Sequence, residues 1–399
     1  MKKSALDKWI CEKENISYLT RDILDELQLT KLNKLLSRVK KRKGFYSCLP
    51  EYLTSLKELE NLPFTTTKEL AENASSLLLS SQSEVSRVIS GSTSGTTGPS
   101  KRIFYSDKDL DNTLTFFAAG ISEMVSEGES VLITMPFSGG LGELIAKAVE
   151  SLGARPIRAG SNLTYGELCE IMKQECPSSY IGMPIPLLSL LRFCNGKSTL
   201  KSALVSADVC SSLVQKEIEN LLGSKLFPHY GLRESCLGGA ITCKAHKGMH
   251  VRENHIIPEI IGKNGRPVEN GEYGELVITT IGMELMPLIR YKTGDRACIL
   301  SKPCPCGSVC VRIEVEGRMD DKLRMSDIDD VLFDIKELID VKAKFIGNTL
   351  EVSAYVLKDN ETQKEIQKRI SLLCPNNKIN IEVCDNNCKS LYLGKRIIE

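Results

Sequence analysis

VISGSTSGTTGPSKRIFY, residues 88–105, is the stretch of sequence on which the prediction of the fold depends. A strand-like start runs into a segment dominated by serine, threonine and glycine, which ends at Lys101. Glycine lets a backbone approach a ligand closely, and neighbouring exposed N–H groups form a nest that binds anions. The hydroxyl groups of Ser94, Thr96 and Thr97 add hydrogen-bond donors, and Lys101 adds positive charge. We interpret the stretch as a triphosphate-binding loop, although its composition also fits a flexible linker.

The spacing of the residues in this stretch excludes three other motifs. The Walker pattern requires a Gly-Lys pair that begins five residues after its first glycine. Gly91 is followed at that distance by Thr96, and Gly95 is followed by Ser100. The pattern G-x-G-x-x-G does not occur, and the nucleophile elbow G-x-S-x-G is excluded because Thr93 occupies the serine position.

The composition gives few indications of a macromolecular partner. The 399 residues include 52 basic and 51 acidic side chains, and this balance predicts neither nucleic acid nor an anionic membrane as a partner. We find no run of about 18 apolar residues and no apolar signal-peptide core, so we predict a cytoplasmic protein. The 15 cysteines are then expected to be reduced and mostly buried rather than to form a disulfide framework.

Hydrophobic periodicity separates a helical start from a mixed middle part. Residues 1–80 carry leucines at helical spacing, and PFTTT (63–67) has the pattern of a turn followed by a helix N-cap. From about residue 84 to residue 300, β-rich runs such as VLITM (131–135) alternate with helical patterns. This alternation is typical of an α/β domain with a largely parallel sheet, whereas 251–280 has the turn signals of antiparallel strands.

The chain changes character after Arg318. A helix, two strands joined at Gly347–Asn348, an amphipathic helix and a further strand follow one another, which predicts a small α+β domain. We place its boundary near residues 317–320. The predicted fold class is therefore α/β, with a large N-terminal domain of mixed sheets and helices (1–317) and a small α+β C-terminal domain (318–399).

Further segments with a recognisable pattern follow the loop in a fixed order. They are HYGLRE (229–234), GEYGELVITT (271–280), YKTGD (291–295), GRMDD (317–321) and LGKRIIE (393–399). Together with TSGTTGPSK they resemble the signature segments of the adenylate-forming superfamily, which includes acyl-CoA synthetases, luciferases and peptide-synthetase adenylation domains. Within it the chain most resembles phenylacetate–CoA ligases, which KLLSRVKKRKGFYS, PFTTTKEL and MPLIRYKTGD also resemble. The resemblance implies an AMP-binding domain, a mobile C-terminal domain and the activation of a carboxylic acid by ATP.

The resemblance also assigns roles to individual residues. The β- and γ-phosphates of ATP would be held by Ser94, Gly95, Thr96, Thr97, Gly98 and Lys101. Tyr230 and Gly231 would bind adenine, and Asp295 and Arg318 would contact the ribose. Glu234 would help to bind Mg2+, a hard cation that prefers oxygen ligands. Lys395 would contact the α-phosphate and the acid once the C-terminal domain rotates about a hinge at Asp320.

Two departures from the family pattern leave the second half of the reaction open. Arg233 replaces the family threonine that contacts the α-phosphate, and it would either bind that phosphate or point away. The family's glycine-rich loop after the hinge, which contributes to the pantetheine tunnel, is missing after Asp321. The hypotheses are therefore transfer of the acyl group to CoA, transfer to a carrier thiol or an amine, and a nucleotide-binding partner protein that has lost catalysis.

Two close pairs of soft ligands predict a metal site. Cys243 and His250 form the first pair and Cys304 and Cys306 the second, and four such ligands suit tetrahedral Zn2+. His246 is an alternative to His250. Zinc-bearing members of the phenylacetate–CoA ligase group look similar in this region. A set of four protein ligands implies a structural role, and unrelated free thiols are the other interpretation.

The sequence does not identify the acid. By resemblance, its pocket would be formed by segments within residues 135–240, namely Pro136–Gly140, Gly182–Pro186 and Gly238–Ala240. A homodimer is suggested by the resemblance alone. The predicted partners are therefore a small carboxylic acid, ATP and CoA.

Overall fold

The computed structural model describes residues 4–91, 101–137, 140–159, 163–319, 322–357, 362–385 and 395–398. The α-helices in these ranges are α1 (Ala5–Glu14), α2 (Arg21–Arg42), α3 (Thr67–Asn73), α4 (Asp107–Ile121), α5 (Leu141–Ser151), α6 (Tyr165–Glu175), α7 (Pro184–Phe193), α8 (Ser212–Leu222), α9 (Met325–Leu332) and α10 (Thr362–Leu373). Short 3₁₀ turns are formed by Leu56–Asn61, Gln82–Glu84 and Arg233–Ser235. No helix among the described residues combines the length and the apolar character that crossing a bilayer requires.

The strands of the same ranges follow in chain order. They are β1 (Arg87–Gly91), β2 (Lys101–Tyr105), β3 (Ser130–Ile133), β4 (Arg155–Arg158), β5 (Ser179–Gly182), β6 (Ser202–Val205), β7 (Phe227–Tyr230), β8 (Ala240–Thr242), β9 (Met249–Val251), β10 (Ile257–Ile261), β11 (Gly274–Thr279), β12 (Tyr291–Ile299), β13 (Arg312–Arg318), β14 (Leu338–Ile346), β15 (Thr349–Val356) and β16 (Lys378–Asp385).

Local sequence signals set the starts of several helices. Thr66, Ser106 and Thr164 are N-caps whose side chains accept a hydrogen bond from the backbone three residues on, while the acidic residue at that position bonds back to the cap. This reciprocal capping box satisfies backbone N–H groups that have no partner inside the helix. The N-cap predicted within PFTTT is confirmed, because Thr66 is the N-cap of α3.

The chain divides into two compact units. Unit 1 comprises Met1–Glu123 and His229–Asp320, and unit 2 comprises Met124–Pro228 and Asp321–Glu399. The boundary near residue 229 falls inside β7. The division into a 1–317 domain and a mobile 318–399 domain stays a prediction.

Unit 1 contains α1 to α4 and an antiparallel sheet. Its strands lie in the order β10, β11, β12, β13, β9, β8 and β7, and each neighbouring pair is antiparallel. The antiparallel strands predicted within 251–280 are thus confirmed. The strands β1 and β2 form a separate antiparallel pair in which Gly91 lies opposite Lys101. This pairing brings together the two residues that flank 92–100.

Unit 2 contains α5 to α10 and two sheets. The first sheet is parallel, in the order β4, β3, β5, β6 and the start of β7, as the alternation of strands and helices predicted. In the second sheet β14 and β15 form the predicted hairpin across Gly347–Asn348, and β16 is parallel to β15. The two sheets share one apolar core, to which strands and helices of both contribute side chains. The hydroxyl of Ser189 in α7 also donates a hydrogen bond to the Ile339 carbonyl of β14 at 2.5 Å.

One cysteine pair departs from the expected reduced state. Cys169 in α6 and Cys194, the C-cap residue of α7, form a disulfide, with Cα atoms 6.0 Å apart. This separation lies within the range that a disulfide bridges. The expectation was wrong for this pair because it rested on cellular compartment, whereas the packing of α6 against α7 decides which cysteines meet. Most of the remaining described cysteines are buried, as expected.

Candidate functional site

Lys101, Glu234 and Tyr291 form a buried triangle of hydrogen bonds in unit 1. The Lys101 Nζ donates to the Glu234 Oε1 at 2.5 Å and to the Tyr291 hydroxyl at 3.0 Å. The Tyr291 hydroxyl donates to the same Glu234 oxygen at 2.9 Å. Lys101 opens β2, Glu234 lies in the 3₁₀ turn after β7, and Tyr291 opens β12. The sheet therefore brings together residues from three of the predicted signature segments.

Burial and charge act in opposite directions on this triangle. Lys101 is 8% exposed, Glu234 7% and Tyr291 1%. Burial, the largest single influence, raises the pKa of Glu234, but the charge and hydrogen bond of Lys101, with smaller contributions from a backbone hydrogen bond and Tyr291, leave that pKa below its ordinary value. The pKa of Tyr291 is raised, first by burial and then by the Glu234 charge. Glu234 is therefore held as a carboxylate and Tyr291 as a neutral phenol.

Arg233, the residue that departs from the family pattern, has an exposed side chain. Its backbone carbonyl accepts a hydrogen bond from the Tyr105 hydroxyl at 2.5 Å, and Tyr105 is fully buried. The turn thus directs Glu234 inward and the Arg233 guanidinium to the surface of unit 1. Its predicted contact with the α-phosphate stays a prediction.

A second cluster joins Tyr230, Asp295 and Arg318. The Tyr230 hydroxyl donates to the Asp295 Oδ2 at 2.7 Å, and the Arg318 Nη1 donates to the Asp295 Oδ1 at 3.0 Å. Asp295 of β12 and Arg318 of β13 are direct partners across the antiparallel ladder. Burial, the largest single influence, lowers the pKa of Arg318, but the charge and hydrogen bond of Asp295, together with nearby tyrosines, raise it above its ordinary value. The residues predicted to bind adenine and ribose are thus adjacent.

Gly231 connects the two clusters in the chain, and its position excludes a side chain. A Cβ at Gly231 would lie 2.0 Å from the carbonyl oxygen of Leu237. This close approach of two backbone segments folds the turn tightly between Tyr230 and Glu234. A glycine is therefore required here for steric reasons, independently of any ligand.

Arg252 supports the same turn and was not singled out by the sequence analysis. Its Nη2 donates to the Ser235 carbonyl at 2.6 Å, and its guanidinium lies 5.1 Å from the centre of the Phe116 ring. Burial lowers its pKa to about 10. A lone arginine after a short strand gives no sequence signal of burial, because its partners come from distant segments.

Other predicted site residues lie elsewhere or outside the described part of the chain. Ser94, Gly95, Thr96, Thr97 and Gly98 of the phosphate loop lie outside the described residues, as do the hinge residue Asp320 and its neighbour Asp321. Lys395 belongs to unit 2, where it is exposed. Of the acyl-pocket segments, Gly182–Pro186 belongs to unit 2 and Gly238–Ala240 to unit 1, and Pro136–Gly140 is only partly described. The acyl pocket and the role of Lys395 stay predictions.

Cys243, His250, Cys304 and Cys306 converge in unit 1. Their potential ligand atoms all lie within 4.8 Å of one another. The Cys243 and Cys304 Sγ atoms are 3.7 Å apart, and the Cys306 Sγ lies 3.4 Å from the His250 Nε2. Cys243 follows β8 and His250 lies in the neighbouring strand β9, while both other cysteines lie between β12 and β13.

The Cys243–Cys304 and His250–Cys306 distances are close to the donor spacings of a tetrahedral zinc site. With Zn–S bonds of about 2.3 Å and Zn–N bonds of about 2.0 Å, a tetrahedral site places its donors roughly 3.5 to 3.8 Å apart. The His250 Nδ1 also lies 3.1 Å from the Cys310 carbonyl oxygen. Donation of the Nδ1 proton to this carbonyl leaves Nε2 to face the three sulfur atoms, as metal-binding histidines require. His246, the alternative ligand, is not part of the converging group.

Comparison with known proteins agrees with the family predicted from the signature segments. Residues 61–286 match the AMP-binding enzyme family. The phenylacetate-coenzyme A ligase of Thermus thermophilus is 28% identical over 327 residues, which cover 76% of this chain and 72% of that protein. The phenylacetate-coenzyme A ligase of Pseudomonas putida is 27% identical over 332 residues, which cover 79% of this chain and 73% of that protein.

Solved structures resemble the fold. A crystal structure of 2-hydroxyisobutyryl-CoA ligase in the postadenylation state, in complex with 2-HIB-AMP, matches with a TM-score of 0.78 at 19% identity. The match covers 94% of this chain and 89% of that chain. The predicted fold class, α/β with a large sheet-and-helix part and a smaller α+β part, is confirmed.

Proposed function

The chain belongs to the AMP-binding enzyme family, and from this premise we propose that it is an ATP-dependent acid–thiol ligase. It joins a carboxylic acid to the α-phosphate of ATP, releases pyrophosphate, and transfers the acyl group of the resulting acyl-AMP to CoA. The relatives named phenylacetate-coenzyme A ligase support the whole reaction. The observation that carries the first step is the convergence, in unit 1, of the charged triangle and the Tyr230–Asp295–Arg318 cluster.

The triangle is suited to holding phosphate and a divalent cation. An ammonium has three donors, and Glu234 and Tyr291 account for two of those of Lys101. We assign the third to a phosphate oxygen, because Lys101 directly follows residues 92–100. Glu234, held as a carboxylate, would supply an oxygen ligand for Mg2+, and Mg2+ would neutralise charge on the phosphates. Charges fixed before substrate arrives stabilise developing charge without reorganisation.

The Asp295 cluster is suited to holding a nucleoside. An ionised carboxylate has about four acceptor sites, and Tyr230 and Arg318 occupy two of those of Asp295. The remaining acceptor sites of the Asp295 carboxylate suit hydrogen bonds from the two hydroxyls of a ribose. The Tyr230 ring, half-buried at the end of β7, would lie against adenine.

The acceptor of the acyl group is the second part of the proposal. The names of the relatives favour CoA. The short passage from Arg318, the last residue of β13, to Met325, the first residue of α9, leaves little chain for a pantetheine tunnel. This shortness favours a carrier thiol or an amine as the alternative acceptor.

Release of pyrophosphate across a library of carboxylic acids tests the first step. With the best acid, mass spectrometry after addition of CoA should detect the acyl-CoA thioester. Acyl-AMP that accumulates without thioester would refute CoA as the acceptor. Binding of ATP without acid-dependent pyrophosphate release for any acid would refute the ligase.

Lys395 is proposed to contact the α-phosphate and the acid in the adenylation step. Lys395→Ala should therefore abolish acid-dependent pyrophosphate release. Lys364→Ala is the matched control, because Lys364 is also an exposed lysine of unit 2. Unchanged release in Lys395→Ala would remove this residue from the mechanism.

Cys243, His250, Cys304 and Cys306 are proposed to hold a structural Zn2+. Elemental analysis of the purified protein should give about one zinc per chain, because four protein ligands complete a tetrahedral site. Cys304→Ser should lose the metal, whereas Cys298→Ser, a buried cysteine on β12 outside the converging group, should retain it. A folded wild-type protein without zinc would refute the site.

The remaining parts of the proposal concern the setting of the enzyme. We propose a cytoplasmic protein, in agreement with its small-molecule chemistry and its balanced charge. Neither nucleic acid nor a membrane is a partner in this proposal. A homodimer is suggested by the family resemblance alone.

A further inference from the structure

Arg396, the residue after Lys395, is buried in an ionic cluster of unit 2. Its side chain is 7% exposed. The Nη1 donates to the Asp329 Oδ1 at 2.9 Å, the Nη2 donates to the Asp329 Oδ2, and the Nε donates to the Asp208 Oδ2 at 3.2 Å. The guanidinium thus grips Asp329 with both of its outer nitrogens and reaches Asp208 with the third, a geometry that only arginine provides.

The two carboxylates come from separate parts of unit 2. Asp208 follows β6 in the segment Met124–Pro228, whereas Asp329 lies in α9 in the segment Asp321–Glu399. Arg396 therefore connects the terminal segment to the residues after β6 and to α9. Two residues further on, Ile398 bridges Ala343 of β14, which gives the terminal segment a second point of attachment.

The cluster carries more negative than positive charge. Asp340 of β14 lines the same small cavity as Asp208 and Arg396, and it is 3% exposed. Burial raises the pKa of Asp329 to about 6, and the opposing attraction comes first from Arg396. Burial also raises the pKa of Asp208, and both Arg396 and Lys395 oppose that shift. Arg396 and Lys395 thus both favour the ionised form of Asp208.

We propose that Arg396 is a positioning residue that acts through Lys395. By joining Asp208 and Asp329, it fixes the terminal segment and so limits where the neighbouring ammonium is presented for adenylation. This proposal rests on the proposed function, because it takes Lys395 as the lysine of that step. A long, exposed lysine is otherwise free to sample many rotamers, and a displacement of about 1 Å at a reacting centre costs on the order of 100-fold in rate.

Two variants and one control test the proposal. Asp208→Asn keeps the Arg396–Asp329 pair and weakens the second attachment by removing its negative charge, whereas Arg396→Lys keeps the charge and loses the two-pronged grip. Arg369→Lys is the control, since Arg369 pairs with Asp334 and Glu365 at the more exposed surface of the same unit. Acid-dependent pyrophosphate release gives kcat and the KM for ATP, and hydrogen exchange of the peptide that contains residues 395–398 reports on the segment itself.

Both variants are expected to speed hydrogen exchange of the terminal peptide and to lower kcat by about 10- to 100-fold. The KM for ATP should stay near the wild-type value, because the residues proposed to hold adenine, ribose and the β- and γ-phosphates belong to unit 1, whereas Lys395 is proposed to act in the adenylation step. The control, Arg369→Lys, should change neither the hydrogen exchange of the terminal peptide nor kcat. A purely structural role would instead lower the amount of folded enzyme, with kcat per folded molecule unchanged.

Two results would overturn the proposal. One is wild-type exchange of the terminal peptide in both variants, and the other is faster exchange with an unchanged kcat. If Arg396→Lys does not fold, Asp208→Asn decides the question. If wild-type protein releases no pyrophosphate with any acid, the proposed function fails, whereas the exchange comparison still shows whether Arg396 fixes the segment.

Discussion

Replacing Lys101 with methionine tests the buried triangle most directly. Methionine preserves much of the volume of the side chain and removes the ammonium that faces Glu234 at 2.5 Å. The carboxylate is 7% exposed and would then be buried with the Tyr291 hydroxyl as its remaining described side-chain donor. Breaking a buried ion pair from one side costs about 3–5 kcal/mol, because an uncompensated charge remains. The free energy of unfolding should fall by that amount at neutral pH.

The dependence of this loss on pH has a definite sign. In the wild type the pKa of Glu234 lies below its ordinary value of 4.5, so its contribution to stability is present above about pH 4.5 and is lost as the pH falls through the lowered pKa. In Lys101→Met burial acts without the opposing ammonium, so the pKa of Glu234 rises above 4.5. The variant therefore regains stability as the pH falls through this raised pKa, and its difference from wild type narrows.

Urea unfolding followed by tryptophan fluorescence suits this measurement. The chain has one tryptophan, Trp9, which is buried in unit 1 against the Phe116 ring. Lys108→Met is the matched control, because Lys108 pairs with Glu284 at the exposed surface of the same unit and should cost no more than about 1 kcal/mol. A loss below about 1 kcal/mol in Lys101→Met, or a loss that does not shrink between about pH 7.5 and pH 5, would refute the reasoning.

Three further substitutions address nucleotide binding. Asp295→Asn should raise the KM for ATP by about 10- to 100-fold, because hydrogen bonds to a charged group contribute about 1.5–3 kcal/mol. Tyr230→Phe keeps the ring and should raise that KM by less than about 5-fold, since one neutral hydroxyl is lost; equal effects of the two variants in steady-state kinetics would contradict the assignment of ribose to Asp295. Gly231→Ala should destabilise the protein by about 1–3 kcal/mol and weaken ATP binding, measured by calorimetry, because the added Cβ meets the Leu237 carbonyl. Gly166→Ala is its control, with the nearest atom at an ordinary 3.8 Å, and an unchanged free energy of unfolding in Gly231→Ala would disprove the tight turn.

The sequence by itself determined the family, the fold class and most local structure. Capping boxes at Thr66, Ser106 and Thr164 and the hairpin across Gly347–Asn348 depend on residues within a few positions of one another, so their signals are legible in the chain. The converging cysteines and histidine were also found from the sequence. They occur as two pairs of residues that are close in the sequence, so the prediction required only that the two pairs be close in the folded chain.

Tertiary structure alone decided which charges meet. Lys101 and Glu234 are 133 residues apart, and they meet because β2, the turn after β7 and the start of β12 are brought together within unit 1. The Cys169–Cys194 disulfide and the grip of Arg396 on Asp329 likewise depend on how helices and segments pack. Such contacts leave no periodic trace in the sequence, because a single charged or sulfur-bearing residue looks the same whether it faces water or a partner. The balance between the cost of burying a charge and its attraction to a partner depends on packing, which only the folded chain defines.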